Sequence, residues 1–193
     1  MGTPTRREQI LATAAELFAA RGFHGVSVAD LGAACGISGP ALYKHFSSKD
    51  AMLAEMLVSI SERLLLVGKE RVRSAGDDAG AALRALVDWH VDFALNHRAL
   101  IVVQDRDWES LPEEARERVR TLQRTYVDLW AAELRELSPG LSLAAARARA
   151  HAVFGLINST PHSGRLPDEE MRTMLTEMAL GALRLPPSGT ERP

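Results

Sequence analysis

The sequence predicts an all-α protein, with three short N-terminal helices followed by a larger helical body. Three observations carry this expectation. Apolar residues recur at helical spacing through most of the chain, and no stretch alternates in the manner of a strand. Aromatic residues make up only 5% of the 193 residues, while Ala, Leu, Glu and Arg dominate, a balance that favours helices over a β-sandwich or barrel. Cap residues and glycine stops also divide the periodic segments into helix-sized pieces.

Ile10, Leu11, Ala14, Leu17 and Phe18 form the apolar stripe of a first helix, predicted from Thr5 to about Arg21 and stopped by Gly22. Ser27-Val28-Ala29-Asp30 has the form of a capping box, so Ser27 starts a short second helix and Asp30 reaches back to its amide. Gly36 supplies the turn after Cys35. Ser38 then caps a short third helix with Pro40 in its first turn, where a missing amide hydrogen costs nothing. From Lys49 to about Ser74 a long helix carries Met52, Met56, Ile60, Leu64 and Val67 inward, until Gly76-Asp77-Asp78 breaks it.

Four further helices fit the pattern, over Asp78 to Asn96, Ala99 to Leu111, Pro112 to Leu137 and Leu143 to Ser159. Ser138-Pro139-Gly140 and Thr160-Pro161-His162-Ser163-Gly164 read as breaks. A last helix is expected from Pro167 to about Leu185, before a disordered tail. The domain division expected from this pattern is 1–48, 49–185 and a tail at 186–193.

Composition excludes several classes. With 46% apolar and 25% charged residues the chain can bury a core. The single Cys35 can form neither an internal disulfide nor a cysteine-rich zinc site. No basic-then-apolar leader precedes the first helix and no apolar run reaches membrane-spanning length, so the expected compartment is the cytoplasm and no membrane partner is expected. Residues 1–73 hold nine Lys/Arg against seven Asp/Glu, a net charge of +2, which leaves −4 for the remainder. That asymmetry is too small to decide a partner.

The chemistry is concentrated in residues 28–46. Val28, Leu31, Ile37, Leu42 and Phe46 supply a small core, and Ala33 is the expected close crossing point of two helices. This is helix-turn-helix spacing. In such a unit the N-terminus of the second helix approaches base edges in the major groove while flanking residues touch phosphates. Ser38, Gly39, Pro40 and Ala41 are small enough for that approach; Ser27, Tyr43, Lys44, His45 and Lys49 are placed as phosphate donors or at the unit's start.

Arg6 to about Leu57 resembles the DNA-binding region of the tetracycline-repressor (TetR) family. The resemblance rests on Ile10, Ala14, Leu17, Phe18, Gly22-Phe23, Ser27-Val28-Ala29-Asp30-Leu31, Gly36-Ile37-Ser38, Leu42-Tyr43-Lys44-His45-Phe46, Ser48-Lys49-Asp50 and Leu53. It implies a dimeric, ligand-responsive transcriptional repressor on a double-stranded DNA operator, with a pocket and a dimer face in the remaining helices. Gly39 replaces the family's usual basic residue after the cap serine, and Ala41 its usual Thr or Ser, so Ala41 is available to a thymine methyl instead. A second reading, a ligand-binding or scaffold protein without operator recognition, stays open at this level.

Six of the ten aromatic residues are Trp89, Phe93, Trp108, Tyr126, Trp130 and Phe154. They read either as ordinary core or as the lining of a small-molecule effector pocket, with polar candidates His90, Asn96, Gln104, Asp105, Arg106, Tyr126, Asn158 and His162. Leu137 to Pro167 contains Arg147, Arg149, His151, His162 and Arg165 and no acidic residue, which suits an anionic ligand group. The segments 102–107 and 153–162 are similar to those of actinobacterial regulators of this family tied to acyl-CoA and fatty-acid metabolism. Two effector classes therefore stand side by side, a lipid-like acid or acyl-CoA and a neutral aromatic or drug-like molecule.

His90 and His97 lie two helical turns apart, about 10.5 Å of rise, too far to share a metal. No metal, cofactor or catalytic residue is expected, since Ser27, Asp30 and His24 are explained as caps and loop residues and no nucleophile elbow or phosphate loop is present. Met171, Met174, Leu175, Met178 and Ala182 recur on one helix face, and Val153, Leu156 and Ile157 on the helix before it. Val153, Ile157, Met171, Met174, Met178 and Ala182 are the expected homodimer contacts.

Overall fold

The computed structural model describes residues 5–163 and 166–184, and every regular element among them is helical. The expected tail at 186–193 lies outside the described residues. Helix α1 spans Arg6–Arg21, α2 Val28–Ala34, α3 Gly39–Leu42, α4 Lys49–Ala75, α5 Ala79–Asn96 and α6 Arg98–Asp107. A 3-10 turn at Trp108–Ser110 leads to α7 Glu113–Leu137, α8 Leu143–Ile157, α9 Thr160–Ser163 and α10 Asp168–Leu183.

Side-chain caps set the helix starts, at Ser27 and Ser38 as the sequence predicts and at Thr5 and Ser142 besides. Thr5 and Glu8 form a capping box on α1, and Ser27 and Asp30 form one on α2. Ser38 and Ser142 accept from the amides of Ala41 and Ala145 at the starts of α3 and α8. Gly22 ends α1 with φ +79°, a conformation that disfavours any side chain. Helix α6 stops before the expected Leu111 because Leu111 precedes Pro112 and is forced into an extended conformation. Helix α8 ends at Ile157, two residues early, and the stretch read as a break contains the single turn α9. Its Thr160 hydroxyl donates to the Ala94 carbonyl at 3.2 Å.

Contacts group the described residues into two compact units that are discontinuous in sequence. One unit comprises residues up to Ser61 together with 99–120; the other comprises 62–98 and the residues from Thr121 onward. In the first, Ile10, Phe18, Phe23, Val26, Leu31, Leu42, Phe46, Met52 and Leu53 form a core with Val103 of α6, Leu111 and Val119 of α7. Burying each large apolar side chain here contributes about 1.5–3 kcal/mol. In the second unit α5 packs on α8 and α10, burying Leu83, Leu86, Ile157, Met171 and Leu175.

Two glycines permit close approaches. A Cβ on Gly32 would lie 2.8 Å from the Ile37 carbonyl oxygen, so Gly32, and not the exposed Ala33, is the crossing point of the helix-turn-helix. A Cβ on Gly68 would lie 2.7 Å from Tyr126 Cε2, so α4 carries a helix-weakening glycine where that ring packs against it.

Candidate DNA interface and effector site

The helix-turn-helix is closed by local hydrogen bonds and held from α1. Gly36, at φ +63°, turns the chain so that the Ile37 amide donates to the Gly32 carbonyl at 2.9 Å. Arg6 donates to the Cys35 carbonyl in that turn at 2.5 Å. Arg7 donates to the His45 carbonyl beyond α3, pairs through both its Nε and Nη2 with Glu55, and lies over the Phe46 ring at 4.2 Å. Sequence reading does not single out either arginine, because each acts on a backbone oxygen 29 or 38 residues away. The Asp30 carboxyl sits below its usual range, through the Ser27 hydroxyl first and the Ser27 amide second.

Seen from outside, this unit presents the expected face. Ser27, Ser38, Pro40, Tyr43 and Lys44 are exposed, while Gly39, Ala41 and His45 are half-buried. Helix α3 is four residues long, so the face is short and its small residues lie at its start. Lys49 is placed differently from the expectation of a phosphate donor. Its Nζ donates to the carbonyls of Phe23 and Val26 at 2.8 and 2.9 Å and lies 4.3 Å from the Phe23 ring centre. The ammonium is held by the loop between α1 and α2 because two carbonyls and an aromatic face converge there.

That same loop is gripped from α6. Arg106 donates to the carbonyls of Phe18 and Ala19 at the end of α1, where the negative end of the helix attracts a cation. Its Nε also donates to Asp107 Oδ1 at 3.4 Å, and the Phe23 amide donates to that same oxygen at 3.2 Å. His24 and Ser110 are 3.0 Å apart. The loop preceding the Ser27 cap is thus fastened by Lys49, Arg106 and Asp107. The sequence places Arg106 among the effector-pocket candidates; it belongs instead to the unit that carries the helix-turn-helix, as do Gln104 and Asp105.

In the second unit most of the aromatic residues singled out in the sequence pack together around His90. The His90 ring stacks on Phe154 at 4.6 Å and on Tyr126 at 5.7 Å, with Trp130 and Phe93 edge-on at 6.0 Å each. His90 Nδ1 lies 3.4 Å from the Tyr126 hydroxyl and Nε2 lies 3.1 Å from Asn158 Oδ1. Burial pushes His90 down to about 4, against the opposing hydrogen bond from Asn158, and pushes the Tyr126 hydroxyl up. Trp89 donates its indole hydrogen to the Leu64 carbonyl at 3.1 Å. Trp108 is the exception: it lies in the other unit, against the helix-turn-helix core with Arg120 above its ring.

The basic residues expected to meet an anion do not gather at this box. Arg147 pairs with Asp128 at 2.6 Å on the surface, His151 and His162 are exposed, and Arg165 lies outside the described residues. Asn96 is exposed and bonded to Asp92. The expected dimer residues also separate. Val153, Ile157 and Met171 are buried in the chain's own core, because the helix faces that carry them turn toward α5. Met174 is half-buried, whereas Met178 and Ala182 are exposed.

Residues 10–56 match the bacterial regulatory proteins of the tetR family, and residues 76–183 match the tetracyclin repressor-like C-terminal domain. The chain belongs to the TetR family of transcriptional regulators. It is 34% identical over 142 residues to the HTH-type transcriptional repressor KstR2 of Rhodococcus jostii, a match covering 72% of this chain and 65% of that protein. The chain thus spans less than two thirds of that curated relative. The structure of PfmR, a TetR-family regulator of Thermus thermophilus, superposes with a TM-score of 0.81 at 26% identity, covering 99% of this chain and 100% of PfmR. FadR of Bacillus subtilis, solved in complex with stearoyl-CoA, shares the fold with a TM-score of 0.71 at 18% identity, over 95% of this chain and 98% of FadR. The TetR family is one of DNA-binding regulators. No helix among the described residues is long and apolar enough to cross a membrane.

Proposed function

We propose that this TetR-family regulator is a repressor that binds a palindromic operator as a homodimer and releases it when a small amphipathic effector occupies the second unit. The observation that supports operator binding most directly is the α2–turn–α3 face, with Ser38, Gly39, Pro40 and Ala41 at its tip and Tyr43 and Lys44 exposed beside it. Residues 1–48 are the DNA-reading part of this proposal. Tyr43, Lys44 and His45 serve phosphates, while Ser38, Gly39 and Ala41 set base preference. Binding to DNA from around its own gene, steep in salt and lost on a scrambled site, tests this reading; equal affinity for every sequence favours the scaffold alternative.

Lys49 holds the recognition unit in shape under this reading. Lys49→Ala is therefore expected to weaken binding to all sequences alike without changing the dependence on salt. A salt slope lowered by about one unit would instead make Lys49 a phosphate contact.

Dimerisation is proposed through the outer faces of α8 and α10. Ala144, Ala148, Ala152 and Gly155 are all exposed along α8, and Met178 is 50% exposed on α10 beside Gly181 and Ala182. Small residues let two such faces approach closely, and an apolar methionine left half in water gains by being covered. Met178→Asp is expected to give monomers that no longer hold a palindromic site, because a charge placed in an apolar contact costs several kcal/mol. Sedimentation of an intact dimer from this variant would move the interface elsewhere.

The effector proposed is an acyl-CoA or related lipid-like molecule, supported by the apolar, aromatic box around His90 and by the stearoyl-CoA held by the similarly folded FadR. Operator release by acyl-CoAs but not by planar cationic dyes is the expected outcome of a gel-shift titration, and the reverse outcome assigns the drug-like class.

A further inference from the structure

We propose that Arg7 is a positioning residue for operator binding: it touches no DNA, but fixes where α3 ends and so places Tyr43, Lys44 and His45 on the phosphates. This rests on the operator reading above and names the side chain that sets the geometry of that face.

The recognition helix cannot hold itself. Helix α3 has four residues, far below the length at which an isolated helix persists. Its start is secured by the Ser38 cap and by the close crossing at Gly32. At its other end the chain leaves in one tightening turn, in which the Lys44 amide donates to the Ala41 carbonyl and the amides of His45 and Phe46 both donate to that of Leu42. The carbonyl of His45 follows, and it accepts from Nη1 of Arg7, 38 residues away in α1. The neighbouring Arg6 donates to the Cys35 carbonyl at 2.5 Å, so α1 holds the chain both before and after α3.

Every part of the Arg7 guanidinium is engaged. Nε donates to Glu55 Oε1 at 2.6 Å and Nη2 donates to Glu55 Oε2, a fork that grips a carboxylate of α4. The guanidinium lies 4.2 Å from the centre of the buried Phe46 ring. One side chain of α1 therefore joins the exit of α3 to α4. Glu55 balances its charge and each of its three nitrogens already donates, so this guanidinium is arranged to hold protein groups and not a phosphate.

Shape, more than charge, is what such a joint requires. Lysine carries the same charge on a single compact ammonium, which cannot hold Glu55 and the His45 carbonyl at once in the way a planar fork does. The pair lies at the surface, with side chains 45% and 33% exposed, where ion pairs contribute little to stability. Loss of Arg7 should therefore loosen the exit of α3 while the unit stays folded. Two faces act on a palindrome, so a competent fraction reduced about threefold in each subunit compounds to about tenfold in affinity.

The test uses the full chain and the duplex that it selects from a random pool. Arg7→Lys is expected to lower affinity about tenfold and leave the slope of log affinity against log salt unchanged. Its unfolding midpoint should fall by no more than about 2–4 °C. Glu55→Gln keeps one acceptor oxygen but loses the fork, so it should weaken binding in the native background and add nothing to Arg7→Lys. Position is read without DNA, because the chain has two tyrosines, Tyr43 exposed at the exit of α3 and Tyr126 in the other unit. With fluorotyrosine incorporated, Tyr43→Phe assigns the two fluorine signals. Arg7→Lys should move the Tyr43 signal and leave that of Tyr126 in place. An unmoved Tyr43 signal, native affinity in Arg7→Lys, or a gain of affinity in Glu55→Gln would each overturn the proposal. So would a salt slope lowered by about one unit per subunit in Arg7→Ala, which makes Arg7 a phosphate contact. If the native chain selects no duplex, the operator reading falls, while the Tyr43 signal still decides whether Arg7 fixes the exit of α3.

Discussion

Acidification from pH 7 to pH 4 is expected to remove on the order of 3 kcal/mol of folding free energy through His90 alone, since burial holds this imidazole down to about 4 in the folded chain. The sign comes from proton counts. In the unfolded chain the imidazole titrates near 6.5, so between roughly 6.5 and 4 the unfolded state binds a proton that the folded state refuses. The contribution is present in full above the unfolded value and is lost as pH falls toward the folded one. The cause is physical isolation: His90 lies among Phe93, Tyr126, Trp130 and Phe154, with Asn158 the only partner favouring the charged form. Denaturant unfolding of the native protein and of His90→Phe at a series of pH values isolates the effect. The native curve should fall more steeply by about 1.4 kcal/mol per pH unit in the window below 6.5. Parallel curves would show that His90 titrates normally.

Asp107→Ala is expected to destabilise the unit that carries the helix-turn-helix by about 2–3 kcal/mol, and to weaken operator binding for every sequence alike. Asp107 is 6% exposed, and its Oδ1 accepts from the Phe23 amide across 84 residues of sequence. Truncation leaves that buried amide without an acceptor and removes the carboxylate that orients Arg106 against the end of α1. Asp107→Asn keeps an acceptor for the amide and should recover most of the stability. Arg106→Ala should resemble the alanine variant in DNA binding but be milder in stability, because Arg106 is exposed and its loss leaves carbonyls that water can reach. Thermal unfolding beside operator titration checks both claims. Full operator affinity in Asp107→Ala would mean that the loop before Ser27 holds its shape without α6.

The sequence by itself determined what is local. Caps at Ser27 and Ser38, the stops at Gly22, Gly36 and Gly76, and the spacing of Leu31, Leu42 and Phe46 specify helices and a helix-turn-helix, because each depends on neighbours a few residues away. Family membership was legible there for the same reason. Only the tertiary structure decided which distant groups meet. Lys49 reads as a phosphate donor and Arg106 as a pocket residue in the sequence, yet both close on carbonyls of the first unit. Trp108 parts from the other aromatic residues because α6 and the start of α7 fold back into that unit. The Met171 stripe divides, with Met171 buried and Met178 exposed, because periodicity tells which residues share a helix face and not which of them the chain's own core covers.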